Sequence, residues 1–307
     1  MTLHVAWSPH YEAPLGDHVM PIGKFRRVAE GLTADVNWLE VTPVTDTDLL
    51  RVHTEAYVRA VATGEPRALA ESQKFPWSPT LATSVRWTSG GCVAAAEAAM
   101  RWGVAGNLAS GFHHAFADHG EGFCTFHGLI VASEAMRAGR WPNLRVLIVD
   151  CDVHYGNGSA SLVASRPWAY NLSIYGCWYE NNRSTKDVTT RRAPPTPNAR
   201  AVALANGSGR DVLMSALAVE LPAALAAHRP DLVWYQAGAD PYRRDPYSPL
   251  DLSMDDLAER DAAVFDIVRR SGVPVAWVLA GGYTEPMDDV VAIHLATAQA
   301  ARRWGGT

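Results

Sequence analysis

The segment from Asp150 to Asn157 places acidic residues and a histidine at alternating positions directly after a strongly apolar run. Residues i and i+2 of an extended chain point to the same side, so Asp152 and His154 are expected to face one site. A carboxylate and an imidazole are two ligands of a metal site, and Asp240, at the end of another apolar run, would supply a third. Three protein ligands leave one position open for water and substrate, as at a catalytic metal. The alternative is a capped strand end with solvated carboxylates.

Two adjacent histidines, His113 and His114, form a second candidate element. Most such pairs are accidental, with one ring packed and the other solvated. A functional pair needs both rings near one metal, each oriented by a hydrogen-bond partner at its other nitrogen. Asp150 and Asn157, which flank the expected metal ligands, are the candidate partners.

Tyr283 closes a Gly-Gly-Tyr turn that it forms with Gly281 and Gly282 at the end of a third apolar run. Glycines allow the backbone to approach a site closely, and a phenol there is able to donate a hydrogen bond to a developing oxyanion. Considered alone, the presence of Tyr283 in this turn is explained equally well by a loop tyrosine whose ring is anchored in the core. In combination with the metal ligands and the histidine pair, the functional interpretation is favoured.

These candidate residues follow apolar runs that alternate with helical patterns. Strands that are hydrophobic throughout, each followed by a helix, indicate a parallel sheet covered on both faces, and sites in such sheets form at the carboxyl ends of strands. We therefore predict one α/β domain over residues 1–307, with three layers in the order helices, sheet, helices (αβα). The predicted strands are Leu3–Trp7, Val36–Val41, Gly106–Ala109, Leu144–Cys151, Trp168–Ile174, Leu232–Gln236 and Val273–Leu279.

Five helical patterns and one long loop complete the prediction. The first helix is expected to be interrupted at Ser89-Gly90-Gly91, and Ser253 with Asp256 predicts a capping box at the start of the fourth. The polar stretch Asn181–Asn206, with its proline cluster, is predicted to be a long loop. The predicted helices are Thr80–Trp102, Cys124–Gly139, Ser208–His228, Met254–Ser271 and Thr284–Trp304.

The net charge of −5, without any basic run, makes nucleic acid a poor partner. No run approaches the roughly 18 apolar residues that span a bilayer, and the first residues lack the pattern of a secretory leader. We therefore expect a cytoplasmic enzyme without a membrane partner. The four cysteines lack C-x-x-C spacing and are expected to be reduced and mostly buried: Cys92, Cys124, Cys151 and Cys177.

Five motifs occur in the order GFHHA, D-x-G-x-GFC, VDCDVHYGNG, AGAD and GGY. Their order and spacing resemble the zinc-dependent histone deacetylase superfamily, and the resemblance runs from about Ser8 to Tyr283, nearly the whole chain. The short length and the segments SPHY, GFHH and HYGNG look closest to the class IV branch. The resemblance implies an arginase/deacetylase-like fold, in which helices flank a mainly parallel sheet of roughly eight strands.

The resemblance also implies roles for individual residues. The matched catalytic residues are His113, His114, Asp150, Asn157 and Tyr283, and the matched zinc ligands are Asp152, His154 and Asp240. The same ligands would accept iron(II). The expected lining of a narrow substrate tunnel is Gly122, Phe123, Tyr247, Gly281 and Gly282, with Trp178 or Tyr179 forming the wall opposite Phe123. A potassium site, built largely from backbone carbonyls, is expected at Asp150, Asp152, His154, Ser173 and Ile174.

Some positions depart from the family pattern. Asn157 stands where many relatives have aspartate, and His127-Gly128 replaces the usual Asn-Asp after GFC. Residues 243–248 lack the familiar G-D-x-L-G. We therefore expect a tunnel mouth specific to this chain, formed by Tyr247 and the Asn181–Asn206 loop.

The favoured function is metal-dependent deacylation of acyl-lysine, with His114 as general base and Tyr283 stabilising the oxyanion. An acetylpolyamine or other small-molecule amidohydrolase is the alternative, and the intact motifs disfavour a non-catalytic binding protein of the same fold. An arginase-like binuclear reaction is disfavoured because His113 and Tyr155 do not suit a second metal. The acyl chain length, the amine and the oligomeric state stay open.

Overall fold

The structure is a computed structural model, and it describes residues 2–33, 35–188 and 196–305. Its strands, in chain order, are β1 Leu3–Ala6, β2 Val36–Leu39, β3 Val104–Ser110, β4 Val146–Asp150, β5 Ala169–Tyr175, β6 Trp178–Glu180, β7 Arg183–Thr185, β8 Ala199–Ala203, β9 Leu232–Ala237 and β10 Val275–Leu279. Eight of them form one parallel sheet in the order β2-β1-β3-β10-β9-β4-β5-β8, while β6 and β7 form a small antiparallel hairpin. The predicted parallel sheet is confirmed.

Helices cover both faces of this sheet because alternate residues of its buried strands point to opposite sides. The helices are α1 Lys24–Gly31, α2 Asp46–Leu50, α3 Glu55–Thr63, α4 Arg67–Ala70, α5 Pro79–Trp102, α6 Gly128–Ala138, α7 Asn157–Val163, α8 Arg210–His228, α9 Met254–Arg270 and α10 Met287–Arg302. On β9, the Trp234 indole donates to Ser133 of α6, whereas the Tyr235 hydroxyl donates to Asp261 of α9. The predicted αβα layering is therefore present, and whether residues 1–307 are one domain stays a prediction.

The expected interruption of α5 is wrong, because the helix runs through Ser89-Gly90-Gly91 without a break. The two glycines serve close packing instead. A Cβ at Gly90 would lie 1.8 Å from the Thr42 carbonyl oxygen, and one at Gly91 would lie 1.8 Å from the Tyr11 hydroxyl. A helix tolerates glycine at a cost of about 1 kcal/mol, and here the neighbouring chain occupies the space of the missing side chains.

The predicted loop Asn181–Asn206 is wrong in part, because it contains β7 and β8, the latter an edge strand of the main sheet. Edge strand β8 is only partly buried, and its sequence lacks the continuous apolar run by which the central strands were predicted. Residues 189–195 of this segment, which include Arg191, Arg192, Pro194 and Pro195, lie outside the described residues. Helix α6 begins four residues later than predicted, with His127 at its N-cap.

Two local predictions are confirmed. Ser253 and Asp256 form the expected capping box, each side chain accepting from the other's backbone N–H. All four cysteines are free and buried.

Helix α8 corrects the expectation that no segment reaches membrane-spanning length. By length and composition alone its 19 residues could cross a bilayer, with a mean hydropathy of 1.3 over an 18-residue window. One such helix is weak evidence, since a core helix of a layered fold has the same composition. Its leucine positions are buried, at Leu213, Leu217 and Leu221, where the helix packs on β5 and α9.

Candidate active site

Four neighbouring strands of the sheet end at one place. In the order β3-β10-β9-β4, their carboxyl ends carry the histidine pair, the Gly-Gly-Tyr turn, Asp240, and the segment from Asp150 to His154. The strands are parallel, so all four carboxyl ends lie on the same edge of the sheet. The fold thus brings together residues that lie up to 170 positions apart, from His113 to Tyr283.

At the centre of this edge, Asp152, His154 and Asp240 present ligand atoms that all lie within 4.8 Å of one another. His154 Nδ1 lies 3.2 Å from Asp152 Oδ1 and 3.4 Å from Asp240 Oδ2. Backbone groups hold the carboxylates: Gly281 N–H donates to Asp152 Oδ2 at 2.8 Å, and Val153 N–H donates to Asp240 Oδ1 at 2.9 Å. This is the one group of metal-ligating side chains of this kind in the described part of the chain.

The chemistry of these donors fits a divalent cation. Asp240 Oδ2 is buried without a hydrogen bond, which is unfavourable for a carboxylate oxygen unless a cation satisfies it. Burial and the charge of Asp152 raise the pKa of Asp240 to about 7. Burial lowers the pKa of His154, but its hydrogen bond to Asp152 and the nearby charges of both carboxylates outweigh burial and raise the pKa to about 10. The cluster therefore favours positive charge, and a dication would neutralise both aspartates.

The two histidines beside this cluster are each oriented through Nδ1. His113 Nδ1 lies 2.7 Å from Asp150 Oδ2, and His114 Nδ1 lies 2.6 Å from Asn157 Oδ1. The ring centroids of the pair are 3.9 Å apart. Both expected partners are therefore in place, and Nε2 is the nitrogen of each ring that is left for other contacts.

Different partners give the two rings opposite pKa shifts. Burial disfavours the charged form of His113, but the charges of Asp150 and Asp152 outweigh burial and raise its pKa. Burial, followed by the positive charges of His113 and His154, holds the pKa of His114 well below its ordinary value. His114 is thus neutral at physiological pH, whereas the surroundings of His113 favour its imidazolium.

Tyr283 reaches the same cavity from the Gly-Gly-Tyr turn. Burial and then the charges of Asp240 and Asp152 raise its pKa well above the ordinary value, so the phenol keeps its proton. Gly281 is required here, because a Cβ on it would lie 1.8 Å from Asp240 Oδ2. Gly282 has a φ of 152°, a conformation that other residues rarely adopt.

Two residues that the sequence interpretation missed hold this turn in place. Lys24 of α1 is fully buried and donates to the Ala280 carbonyl oxygen at 2.7 Å, while burial lowers its pKa to about 8. Asp245 accepts from the backbone N–H of Tyr283 at 2.7 Å and of Tyr247 at 3.0 Å. The scarcity of lysine, with three in the chain, was the one sequence signal that could have marked Lys24.

Asp152 and His154 of the cluster line a small cavity of about 20 Å³. Its lining includes Phe123, Tyr283 and both histidines, and also Met20, Ser110, Phe112, Gly122, Cys124, Asp152, His154, Ala280 and Gly281. Tyr179 stacks on His114 at a centroid distance of 4.0 Å, and Tyr247 lies 5.0 Å from Tyr283. The walls near the metal ligands are therefore mostly aromatic, and Phe75, which stacks on Phe123, adds a ring that the sequence interpretation missed.

The expected tunnel role of Trp178 is wrong. Consecutive residues of a strand point to opposite sides, so in β6 the side chain of Tyr179 faces the site and that of Trp178 faces away. Trp178 stacks on Tyr155 at 4.9 Å in a separate buried cluster with Tyr175 and Val188. That packing also places Tyr155 away from the metal ligands.

The residues of the expected potassium site lie on adjoining strands. Asp150 of β4 pairs in register with Ser173 of β5, next to Ile174, and Asp152 and His154 follow directly after β4. Ser173 Oγ accepts from the Gly156 N–H at 3.3 Å. Potassium binding itself stays a prediction.

A parallel αβα sheet whose neighbouring strand ends combine a carboxylate–imidazole–carboxylate cluster with two histidines and a tyrosine defines a metal-dependent hydrolase of the arginase/deacetylase-like fold. The histone deacetylase domain family matches residues 18–298. An uncharacterised protein of Picosynechococcus sp. is 30% identical over 321 residues, which cover 98% of this chain and 99% of that protein. The histone deacetylase-like amidohydrolase of Pseudomonas aeruginosa is 32% identical over 263 residues, 83% of this chain and 68% of that protein. The crystal structure of the HDA15 HD domain, at 23% identity, shares the fold with a TM-score of 0.80 over 97% of this chain and 90% of that one.

The chain therefore belongs to the histone deacetylase family, and it is a hydrolase that acts on acetylated amides. Family membership implies a divalent metal, usually zinc, and the buried cluster of Asp152, His154 and Asp240 suits one. The predicted family is confirmed, while its class IV branch stays a prediction.

Proposed function

We propose that this protein is a deacylase that hydrolyses an N-acylated amine with a slender stem, acyl-lysine in particular. Its metal would be zinc, held by Asp152, His154 and Asp240. The observation that carries the proposal is that Asp152 and His154 of this cluster line a small cavity, which His114 and Tyr283 also line. A ligand set, a base and an oxyanion donor around one small space are the parts that hydrolysis of an amide requires.

When bound, a metal at this site polarises an acyl carbonyl and acidifies a water molecule. His114 would take the proton of the attacking water through Nε2, because Nδ1 is engaged by Asn157 and the low pKa keeps the ring neutral. The Tyr283 phenol, which keeps its proton, would donate to the carbonyl oxygen as negative charge develops on it. The surroundings of His113 favour its protonated form, which suits a donor to the leaving amine. The products are a carboxylate and a free amine.

The small volume of the cavity and the aromatic rings around it support the preference for a slender stem. Aromatic rings from Phe123, Tyr179 and Tyr247 surround the approach to the cluster. A methylene chain slides between ring faces without needing hydrogen bonds, which favours a lysine-like substrate. An acetylpolyamine has a stem of the same width, so it is the alternative substrate.

Turnover of a substrate panel tests the proposal. The panel contains an acetyl-lysine peptide, a long-chain acyl-lysine peptide and an acetylated polyamine, each measured before and after chelation. We expect chelator-sensitive turnover that is highest with acetyl-lysine and that returns on adding zinc; adding iron(II) in parallel compares the two metals. Preference for the polyamine would establish the alternative substrate, and metal binding without turnover of any amide would indicate a binding protein instead.

The class IV assignment, the potassium site and the cytoplasmic location are further proposals. Exchange of potassium for sodium in the assay tests the second of these. The expected result is a change in turnover or in thermal stability without a change in zinc content.

A further inference from the structure

Asn157 does not end the chain of contacts that begins at His114. Its side-chain amide Nδ2 donates to Glu121 Oε2 at 2.9 Å, on the side away from the 2.6 Å contact between Asn157 Oδ1 and His114 Nδ1. Glu121 is 5% exposed. A buried carboxylate therefore contacts the side chain at position 157, where many relatives carry aspartate.

The neighbours of Asn157 fix which end of its amide faces His114. The Gly158 backbone N–H, which is only able to donate, lies 2.9 Å from Oδ1, so that atom is an acceptor. The Glu121 carboxylate accepts, so the opposite atom is the amide nitrogen. With the oxygen turned to His114, the proton of the neutral ring lies on Nδ1, and Nε2 keeps its lone pair.

We propose that Glu121 is a positioning residue for His114, acting through Asn157, and that the series His114–Asn157–Glu121 selects the Nδ1–H tautomer. The proposal rests on the proposed function, since the tautomer matters because His114 is the base. His113 contacts the carboxylate of Asp150 directly, whereas His114 is connected to the carboxylate of Glu121 through the Asn157 side chain. The uncharged amide between the two groups therefore orients the His114 ring without placing a carboxylate directly against it.

The Glu121 side chain is not needed to hold the turn in which this residue lies. Its backbone already holds the turn, because its carbonyl oxygen accepts from the Cys124 N–H at 2.8 Å and the two residues form a β-bridge. These backbone contacts survive any change of the side chain. On the solvent side, His119 Nε2 lies 3.7 Å from Glu121 Oε1.

The first experiment compares Glu121→Met and Glu121→Gln in the metal-loaded protein. ¹⁵N NMR of labelled histidine, assigned with a His114→Gln variant, reports the tautomer without needing turnover. We expect Glu121→Met to mix the tautomers and lower kcat/KM about tenfold, in the range for a residue that orients a catalytic group through a hydrogen bond. Glu121→Gln still offers an oxygen to Asn157 and should fall between this variant and the wild type. Asp118→Asn, at an exposed neighbouring carboxylate, is the matched control.

The second experiment repeats Glu121→Gln in an Asn157→Asp background. There the new carboxylate orients His114 directly and faces Glu121, so like charges repel and removing the Glu121 charge should raise kcat/KM instead of lowering it. An unchanged His114 tautomer in Glu121→Met would overturn the proposal, as would the same loss from Glu121→Gln in both backgrounds. If no amide is turned over, the proposed function fails, while the NMR result still decides whether Glu121 orients His114.

Discussion

The metal-binding end of the cavity and its outer rim are built in different ways. Asp152, His154 and Asp240 follow strands of one sheet, and backbone N–H groups hold both carboxylates. The rim rings of Phe123 and Tyr179 come from a loop and a small hairpin. Phe123 contacts Tyr283, and Tyr179 contacts His114 and His154, through ring faces and edges. The sheet thus determines the chemistry, whereas loops determine which substrate reaches it.

Backbone conformation shows the same contrast. Phe123 has a φ of 64° and Gly122 one of 51°, and a bulky residue in this left-handed region is strained by an amount on the order of 1–3 kcal/mol. The Phe123 N–H donates to the Gln73 carbonyl oxygen at 3.0 Å, and Phe75 stacks on the ring. The rim therefore depends on a few loop contacts, while the metal ligands depend on the whole sheet.

The largest effect should come from the metal-binding end. Asp240→Ala removes a ligand and leaves Asp152 and His154 with too few donors for a three-ligand site, so we expect loss of bound metal and turnover at background level. Elemental analysis of protein purified without chelator, together with the acetyl-lysine assay, measures both. Asp211→Ala, at an exposed carboxylate on α8, is the control. Full metal content with full activity in Asp240→Ala would disprove the assignment.

The next largest effect should separate chemistry from metal binding. Tyr283→Phe keeps the ring and its contact with Tyr247 but removes the hydroxyl, and loss of one oxyanion donor lowers turnover by about 10²–10³-fold. Metal content should stay unchanged, because the phenol is not a ligand. Tyr170→Phe, at the amino end of β5 where the ring lies against His228, is the control. Turnover within about threefold of wild type would mean that another group stabilises the oxyanion.

The sequence was sufficient to predict the residues whose position depends on strand ends. The alternation of Asp152 and His154 predicts two side chains on one side, and parallel strands bring Asp240 to the same edge. The contacts of the histidine pair with Asp150 and Asn157 were also expected, and the structure has both. These predictions succeed because the two-residue alternation of a strand is local in the sequence, and because parallel strands end at one edge of a sheet.

Residues whose position depends on tertiary packing could not be predicted in this way. Nothing local shows that Lys24 is buried against the Ala280 carbonyl, or that Glu121 contacts Asn157. Trp178 was assigned to the tunnel because hydrophobic character does not show which side of a two-residue alternation faces the site. The uninterrupted α5 is a similar case, since the neighbours of Gly90 come from a distant loop.

A moderate effect should mark the rim. Phe123→Ala removes one aromatic wall, so we expect KM for acetyl-lysine to rise about tenfold, equal to roughly 1.4 kcal/mol of binding, with a smaller change in kcat. Trp178→Phe is the matched control because its ring packs against Tyr155, away from the cavity. Steady-state kinetics of the two variants measure the difference. Equal effects on KM would show that the rim is not where the structure places it.

The smallest effect should appear in the pH profile, which tests the contact between Asn157 and His114 beside the metal ligands. The pKa of His114 is well below its ordinary value, and the neutral ring is the active base. Activity should therefore persist on the acidic side to below pH 6.5, the ordinary histidine pKa. An aspartate in place of Asn157 adds an opposite charge, which raises the pKa of His114. Protonation would then inactivate the base at higher pH, so the acidic limb of kcat/KM should move upward.

This variant is best made as Asn157→Asp with Glu121→Gln, because two facing carboxylates would otherwise titrate as a coupled pair and obscure the shift. The limb of kcat/KM reports groups of the free enzyme, so it should move by about one pH unit, while the limit at high pH changes less. Glu121→Gln alone supplies the reference profile. A limb that stays in place or moves downward, in a double variant that keeps its metal, would show that Asn157 does not act on the base. The same double variant with His114 still neutral by NMR would instead assign the limb to another group.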